Sequence, residues 1–401
     1  MLTEASLYIH IPFCRHRCAY CDFNTYAGME PFVPVYLDAL MAEIRQVAGI
    51  LAQGLTVKTI YLGGGTPSYL PVEGLNALLK TCREVFLLQE NAEISLEANP
   101  GTVNQAILLQ LRKAGYNRIS LGMQSAHPAD LRLLEREHDT MDVIRAVQWA
   151  KQAGFSNVNL DLIFGVPGQT MQRWRETLRL AIGMKPKHLS LYGLTVEPGT
   201  RFRTWVESGR VEPPDDDLAA DQYEYACELL AQAGFRHYEI SNWALDENGV
   251  VAYCLHNLQY WRNLPYVGFG AGAHGFFFGM RIANVRAIPE YVARIKAKSP
   301  ALYPGGSAAE QVDQVSTWNE MQETMMVGLR LLEEGVNDSR FEARFGTSLE
   351  SAFRAPIEKL IRRGLIEWEG SSNQRRLRLS RRGWLLGNQV FSAFVGLPDL
   401  K

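Results

Sequence analysis

The chain has 401 residues, and its 41 Lys and Arg against 43 Asp and Glu leave a formal net charge of −2. With 47% apolar and 21% charged residues it is neither a disordered chain nor a globally basic nucleic-acid binder, and its length predicts two or three domains. The opening MLTEASLYIHIPFC carries Glu4 and no basic region or small-residue cleavage site, unlike a signal peptide. The apolar run 266–280 is short, glycine-rich and interrupted by His274, unlike a membrane span. A cytoplasmic protein is therefore expected. Structural disulfides are rare there, so clustered thiols point to a metal or to redox chemistry.

In chain order, strands are predicted at 6–11, 57–62, 93–98, 118–123, 157–164 and 188–193, each rich in Ile, Leu, Val or Tyr. Helical periodicity separates them over 33–51, 72–86, 104–113, 141–153 and 171–182. Asn104 and Thr140 read as N-caps, and Gly115 and Gly154 as residues just past helix ends. Six βα units predict a parallel sheet, doubly wound or closed into a full or partial barrel. The run 212–217, EPPDDD, breaks the pattern as a solvated linker or as the cap of a helix over 218–233. An aromatic, glycine-rich region follows to about residue 290. From about residue 311 two helices precede a hairpin of 365–369 and 376–379. The expected division is 1–211, 212–300 and 311–401.

Ligands of parallel α/β folds bind at the carboxyl ends of the strands. Those ends carry Cys14, the glycines 63–65 with Thr66, Glu97, Gln124, Asp161 and Gly193. Unpaired buried charge is costly, so Glu97 and Asp161 are candidates for sugar hydroxyls or an amine. Each could equally be a satisfied structural carboxylate. Cys14, Cys18 and Cys21 form a C-x3-C-x2-C array. Three thiolates on one loop can hold three irons of a cubane and leave the fourth open. Zinc with His10 or His16 as fourth ligand is the alternative, without a second ligand pair downstream. Arg136 is placed on a helix after Gln124. Cys82 and Cys227 read as buried small hydrophobes.

The array, followed by Tyr61-Leu-Gly-Gly-Gly-Thr-Pro67, resembles the radical S-adenosylmethionine (SAM) superfamily. The segments 7–14, 96–101, 118–124, 159–167, 238–242 and 268–274 resemble its oxygen-independent coproporphyrinogen oxidase group. The resemblance implies an α/β fold: a partial (β/α)6 TIM-like barrel with a β/aromatic extension and a small, mostly helical, winged-helix-like C-terminal domain. It implies a [4Fe–4S] cluster on Cys14, Cys18 and Cys21, with SAM chelating the open iron. The SAM-binding set it carries over is Tyr8, Gly64, Gly65, Thr66, Glu97, Gln124, Arg136, Asp161 and Gly193.

Oxidases of the group have a longer N-terminal segment and a fourth cysteine, where this chain has Phe23. The heme-chaperone branch lacks both and carries H-N-x-x-Y-W, matched here by His256, Asn257, Tyr260 and Trp261. A neutral imidazole ligates heme iron, and aromatic faces suit a porphyrin. The segment 275–278 would add to that surface, and Cys254 is an alternative thiolate. A core histidine with two core aromatics is the plainer reading of the same residues. The implied function is heme binding and transfer to apo-hemoproteins, membrane cytochromes included, at a peripheral membrane position and with room for a homodimer. No catalytic residue is assigned, and oxidative decarboxylation of coproporphyrinogen III is the alternative. Seven arginines against two glutamates over 361–382 read as a solvated face rather than a nucleic-acid site.

Overall fold

The structure, a computed structural model, describes residues 3–51, 55–371 and 374–398. Its first half is β1 (Thr3–Ile11), α1 (Val33–Ile50), β2 (Leu55–Gly64), α2 (Val72–Val85), β3 (Leu87–Ala98), α3 (Gln105–Ala114), β4 (Arg118–Gln124), α4 (Pro128–Leu133), α5 (Thr140–Gln152), β5 (Asn157–Phe164), α6 (Met171–Gly183) and β6 (His188–Gly193). The helices form where apolar side chains recur at helical spacing. In α2, Val72, Leu75, Leu78, Leu79 and Cys82 share the buried stripe. Asn104 caps α3 by accepting from the Ile107 amide, and Gly115 ends it at φ 116°. Thr140 is not the cap of α5. Asp139 is, in a capping box with Asp142, because its carboxylate reaches the Asp142 amide. Arg136 is not helical either: α4 stops at Leu133, Glu135 turns the chain at φ 52°, and Arg136 lies on the loop that follows.

Strands β1 to β6 pair in parallel and in sequence order. β3 begins six residues earlier than the apolar run indicates, because Leu87 and Leu88 pair with Thr56 and Val57 before a register shift. The chain continues through α7 (Arg201–Glu207), α8 (Asp216–Gln232), β7 (Phe235–Glu239), β8 (Asn242–Glu247), β9 (Val250–Val251), α9 (Leu255–Trp261), β10 (Tyr266–Phe269), β11 (His274–Phe277), β12 (Met280–Asn284), α10 (Ile288–Lys296) and β13 (Ala309–Gln314). Asp215 caps α8, which settles the acidic run as a cap. β10 adds to β1 in parallel and β8 adds to β6 antiparallel, so the sheet runs from β13 to β7 as an open, partial barrel.

Side chains alternate across each strand. Ile9, Leu62, Leu96, Leu121 and Leu160 are fully buried in the main apolar core. The other face carries Glu93, Glu97 and the residues Ser6, Thr59, Arg118, Ser120, Asn159, Asp161, His188 and Ser190, and most of these polar side chains bond to one another within or across strands. That polar face lines the barrel.

The C-terminal unit holds α11 (Thr317–Gly328), β14 (Val336–Asn337), α12 (Asp338–Phe345), α13 (Leu349–Arg362), β15 (Ile366–Glu369), β16 (Arg376–Leu379), α14 (Arg381–Leu385) and α15 (Gly387–Ser392). It has its own core around Met325, Leu349, Phe353, Leu377 and Phe394. Much of its arginine charge is answered locally: Arg376 pairs with Glu369, Arg378 with Glu367, and Arg375 with Glu350. No helix among the described residues is long and apolar enough to cross a membrane.

Candidate functional site

The loop after β1 carries the three clustered thiols. It is pinned at its base, where the Cys14 amide donates to the Tyr26 carbonyl (2.9 Å) and the Tyr26 amide to the Pro12 carbonyl (2.7 Å). The Cys21 amide turns back onto the Cys18 carbonyl. Neighbouring loops fix it from outside: Phe202 N–H donates to Ala19 O, and the Arg201 guanidinium to Arg17 O. All three cysteines line one cavity of about 640 Å3 at the carboxyl ends of the strands, a volume usual for a small-molecule site. Burial pushes the Cys14 thiol up to about 11, against the Thr66 hydroxyl that donates to it (3.7 Å).

The same cavity is lined by Gly64, Gly65, Thr66, Glu97, Gln124, Arg136, Asp161 and Gly193. The Glu97 carboxylate accepts from Tyr61 Oη (2.8 Å) and from the Gly64 amide (3.0 Å). Burial pushes it up to about 7 despite the Tyr61 bond, with Asp161 adding to the rise. Asp161 accepts from Ser120 Oγ (2.8 Å) and Asn159 Nδ2 (2.9 Å), and burial raises it too. Arg136 donates to the Cys18 sulfur (3.6 Å) and to Gly122 O (3.2 Å), while its Nε is buried without a partner. A Cβ on Gly122 would stand 2.9 Å from Gln124 Nε2 and 3.0 Å from Arg136 Nη2, so only glycine leaves both side chains their place. Gln124 itself sits at φ 61°, at a register shift between β4 and β5, a strained backbone of the kind found at ligand sites.

These residues fit a cluster with SAM. The thiols share a concavity, the arginine Nε has an unmet donor, and two carboxylates are aimed at a polar ligand. Zinc fits less well. His10 has both ring nitrogens engaged, by Tyr8 Oη (2.9 Å) and Asn24 O (2.9 Å), and among the described residues no three His, Cys, Asp or Glu side chains converge on one ion. Tyr8 does not line the cavity; it orients His10 from beneath. Phe23 stands at the rim, 63% exposed. Tyr61, Ser120 and Tyr20 line the cavity as well, and Asn159 supports Asp161 from behind; none of the four is among the residues expected from sequence. The available signal was polar residues at alternate strand positions, 93/95/97, 118/120 and 159/161, which mark the lumen face.

His256, Asn257, Tyr260 and Trp261 lie elsewhere, on α9. His256 touches Thr59, five residues before Gly64 on β2, so roughly 16 Å of strand separates it from the glycine loop. Thr59 donates to Ser6 Oγ (2.7 Å), so it accepts from His256 Nδ1–H (2.6 Å). Nε2 then accepts from Tyr260 Oη (3.0 Å). The imidazole is 1% exposed, and burial pushes it down to about 3, with Arg118 adding to the fall. It stacks on Tyr61 at 5.0 Å between centroids. Glu93 caps α9 by accepting from the Leu255 (3.0 Å) and His256 (3.1 Å) amides. Cys254 is fully buried beside that carboxylate and is pushed up to about 12 by burial. Trp261 lies under the Arg330 guanidinium (4.4 Å). Of 276–278, Phe276 and Phe277 are buried and Phe278 is exposed. As the chain is folded here, the motif closes one end of the barrel.

Comparison with known proteins places the chain in a family. Residues 8–181 match the Radical SAM superfamily model, and 315–386 match the HemN C-terminal domain. The chain is 37% identical to the heme chaperone HemW of Bacillus subtilis over 98% of its own length and 99% of the relative's. It is 38% identical to that of Escherichia coli, covering 91% and 92%. Among solved structures, the coproporphyrinogen III oxidase HemN of E. coli superposes with TM-score 0.82 at 23% identity, over 98% of this chain and 91% of that one. That likeness shows the fold. The full-length relatives show more: this chain belongs to the HemW family of radical SAM proteins.

Proposed function

We propose that this protein is a heme chaperone. It takes up heme as cargo and passes it to apo-hemoproteins, membrane cytochromes included, from a cytoplasmic position at the membrane surface. It holds a [4Fe–4S] cluster on Cys14, Cys18 and Cys21 with SAM beside it. The observation that carries the reading is the three-thiol cavity, with Phe23 where the oxidases have a cysteine, in a chain whose full-length relatives are named heme chaperones. When bound, the cluster would supply an iron with an open position and one-electron chemistry at the sulfonium. The rest is the protein's own work. Glu97 and Asp161 would take the amine or sugar hydroxyls, and Arg136 Nε an anionic oxygen. Gly64 and Gly65 would let the ligand approach the backbone.

Heme ligation by His256 has a structural condition. An axial ligand needs a free imidazole lone pair, and here that lone pair, on Nε2, is covered by Tyr260 Oη. Cargo binding at the motif therefore requires Tyr260 to turn away and α9 to loosen from Glu93. Absorbance titration of heme into anaerobically reconstituted protein tests the reading. Saturable binding is expected, weakened tenfold or more by His256→Ala and not weakened by Tyr260→Phe. No heme binding by the intact protein overturns it. Protoporphyrinogen formed from coproporphyrinogen III with SAM and a reductant would make the protein an oxidase instead.

A further inference from the structure

Asp161, with Glu97, is one of the two strand carboxylates facing the cavity, and it is bonded by the Asn159 amide behind it. Asn159 Nδ2 donates to Ser120 Oγ (2.6 Å) and Asp161 Oδ1 (2.9 Å). Its Oδ1 accepts from His188 Nδ1 (2.6 Å) and Ser190 Oγ (3.2 Å). Flipping the amide would set its oxygen against the Asp161 carboxylate and its NH2 against two donors. The amide is therefore held one way round, and its oxygen bonds to His188 only where the ring carries its proton on Nδ1. That leaves Nε2 as an acceptor, so the Tyr238 hydroxyl donates to it (2.8 Å) and anchors the ring from its other side. Burial and the Arg118 guanidinium keep the ring neutral; Arg118 Nη2 lies 3.4 Å from Nδ1, too far to displace the 2.6 Å bond to the Asn159 oxygen. Tyr238 Oη in turn accepts from the Cys254 amide (3.4 Å), at the start of α9. His188, Asn159 and Tyr238 are all buried, and none of them lines the cavity.

We propose that His188 and Tyr238 are positioning residues for the cofactor site: through the Asn159 amide they hold Asp161 in the orientation that receives SAM. The inference rests on the reading above, that Asp161 meets SAM. It adds a residue pair on β6 and β7 that touches no ligand. It also gives a role to a histidine buried in the barrel wall, since a neutral imidazole is donor at one nitrogen and acceptor at the other.

The test is SAM binding by equilibrium dialysis to anaerobically reconstituted protein at pH 8 and pH 6, each variant expressed relative to wild type at the same pH. Asn159→Asp replaces the donor with a second carboxylate among Asp161, Glu97, Arg118 and His188. It is expected to weaken binding about tenfold or more at pH 8, the loss of a hydrogen bond to a buried charge. Part of that is expected to return at pH 6, because two adjacent carboxylates share a proton and the protonated carboxyl introduced by the substitution again donates to Asp161. A merely destabilised variant would not recover with acid. Tyr238→Phe, which keeps the ring in place, is expected to weaken SAM binding about threefold at both pH values, the scale of one neutral hydrogen bond. Wild-type affinity in both variants overturns the proposal. So does a loss in Asn159→Asp that acid leaves unchanged, together with unaltered binding by Tyr238→Phe. Failure of the wild type itself to bind SAM would overturn the cofactor reading first.

Discussion

Glu93 and Glu97 stand four residues apart on β3 and point into the same barrel, yet they do opposite work. Glu97 faces the open end, where its two bonds, from Tyr61 and the Gly64 amide, leave room for a ligand on the cavity side. Glu93 faces the closed end, where it accepts from two amides of α9 and lies against the Cys254 thiol and the buried charge of Arg118. The contrast extends to their surroundings. At the cavity, Arg136 Nε has no partner and Gln124 is strained. At the other end, the bonding capacity of His256 is filled by Thr59 and Tyr260. The cavity end is open to a polar ligand as it stands, whereas at the other end the bonds of His256 have to be released before a ligand reaches its lone pair.

The largest effect that would break this comparison is at the thiols. Cys18→Ser is expected to reduce bound iron and sulfide to near background after anaerobic reconstitution, with the fold retained by circular dichroism. Iron content equal to wild type would remove Cys18 from the cluster set.

Glu93→Ala should lower stability and leave the cluster site untouched. It leaves two α9 amides without their acceptor and removes a carboxylate charge near the buried Arg118 guanidinium, and each unsatisfied buried group costs about 1–3 kcal/mol. Chemical denaturation should show that loss, while iron loading of the folded protein stays unchanged. A change below about 1 kcal/mol would mean that the plug is not held by Glu93.

The smallest effect concerns Glu97 and pH. Its carboxyl is raised to about 7 in the fold, so the unfolded chain gives up that proton at lower pH than the native state does. Its contribution to stability is therefore full below its ordinary value and is lost as pH rises through about 7. In the absence of ligand, stability is expected to fall between pH 5 and pH 8, by up to about 3 kcal/mol from this group. Glu97→Gln should flatten that slope in thermal denaturation scans. An unchanged slope would assign the pH dependence to other buried carboxyls, of which Glu43 is also raised to about 7.

Much of the molecule is legible before any fold is known. The six strands and five of the six helices of the first half, all but α4, follow from local periodicity, and the Asn104 cap and Gly115 stop follow from backbone chemistry that neighbouring residues decide. Arg136 is misplaced on a helix because its helical pattern continues in sequence across a turn at Glu135 that nothing local announces. The cofactor residues are legible because strand ends in a parallel sheet share one edge, so residues far apart in sequence are placed together by topology alone.

What sequence could not decide was which polar groups are already engaged. Cys14, Cys18 and Cys21 declare themselves by spacing, since one short loop brings them together whatever the rest of the chain does. His256 declares nothing of the kind. Its Nδ1 bonds to Thr59, 197 residues away, and only the closed barrel sets the two side by side. Likewise Asp161, Asn159, His188 and Tyr238 meet because β5, β6 and β7 lie near one another. Spacing along the chain determines which atoms are available to form a site. The tertiary structure decides which of them still have a lone pair or a proton to offer.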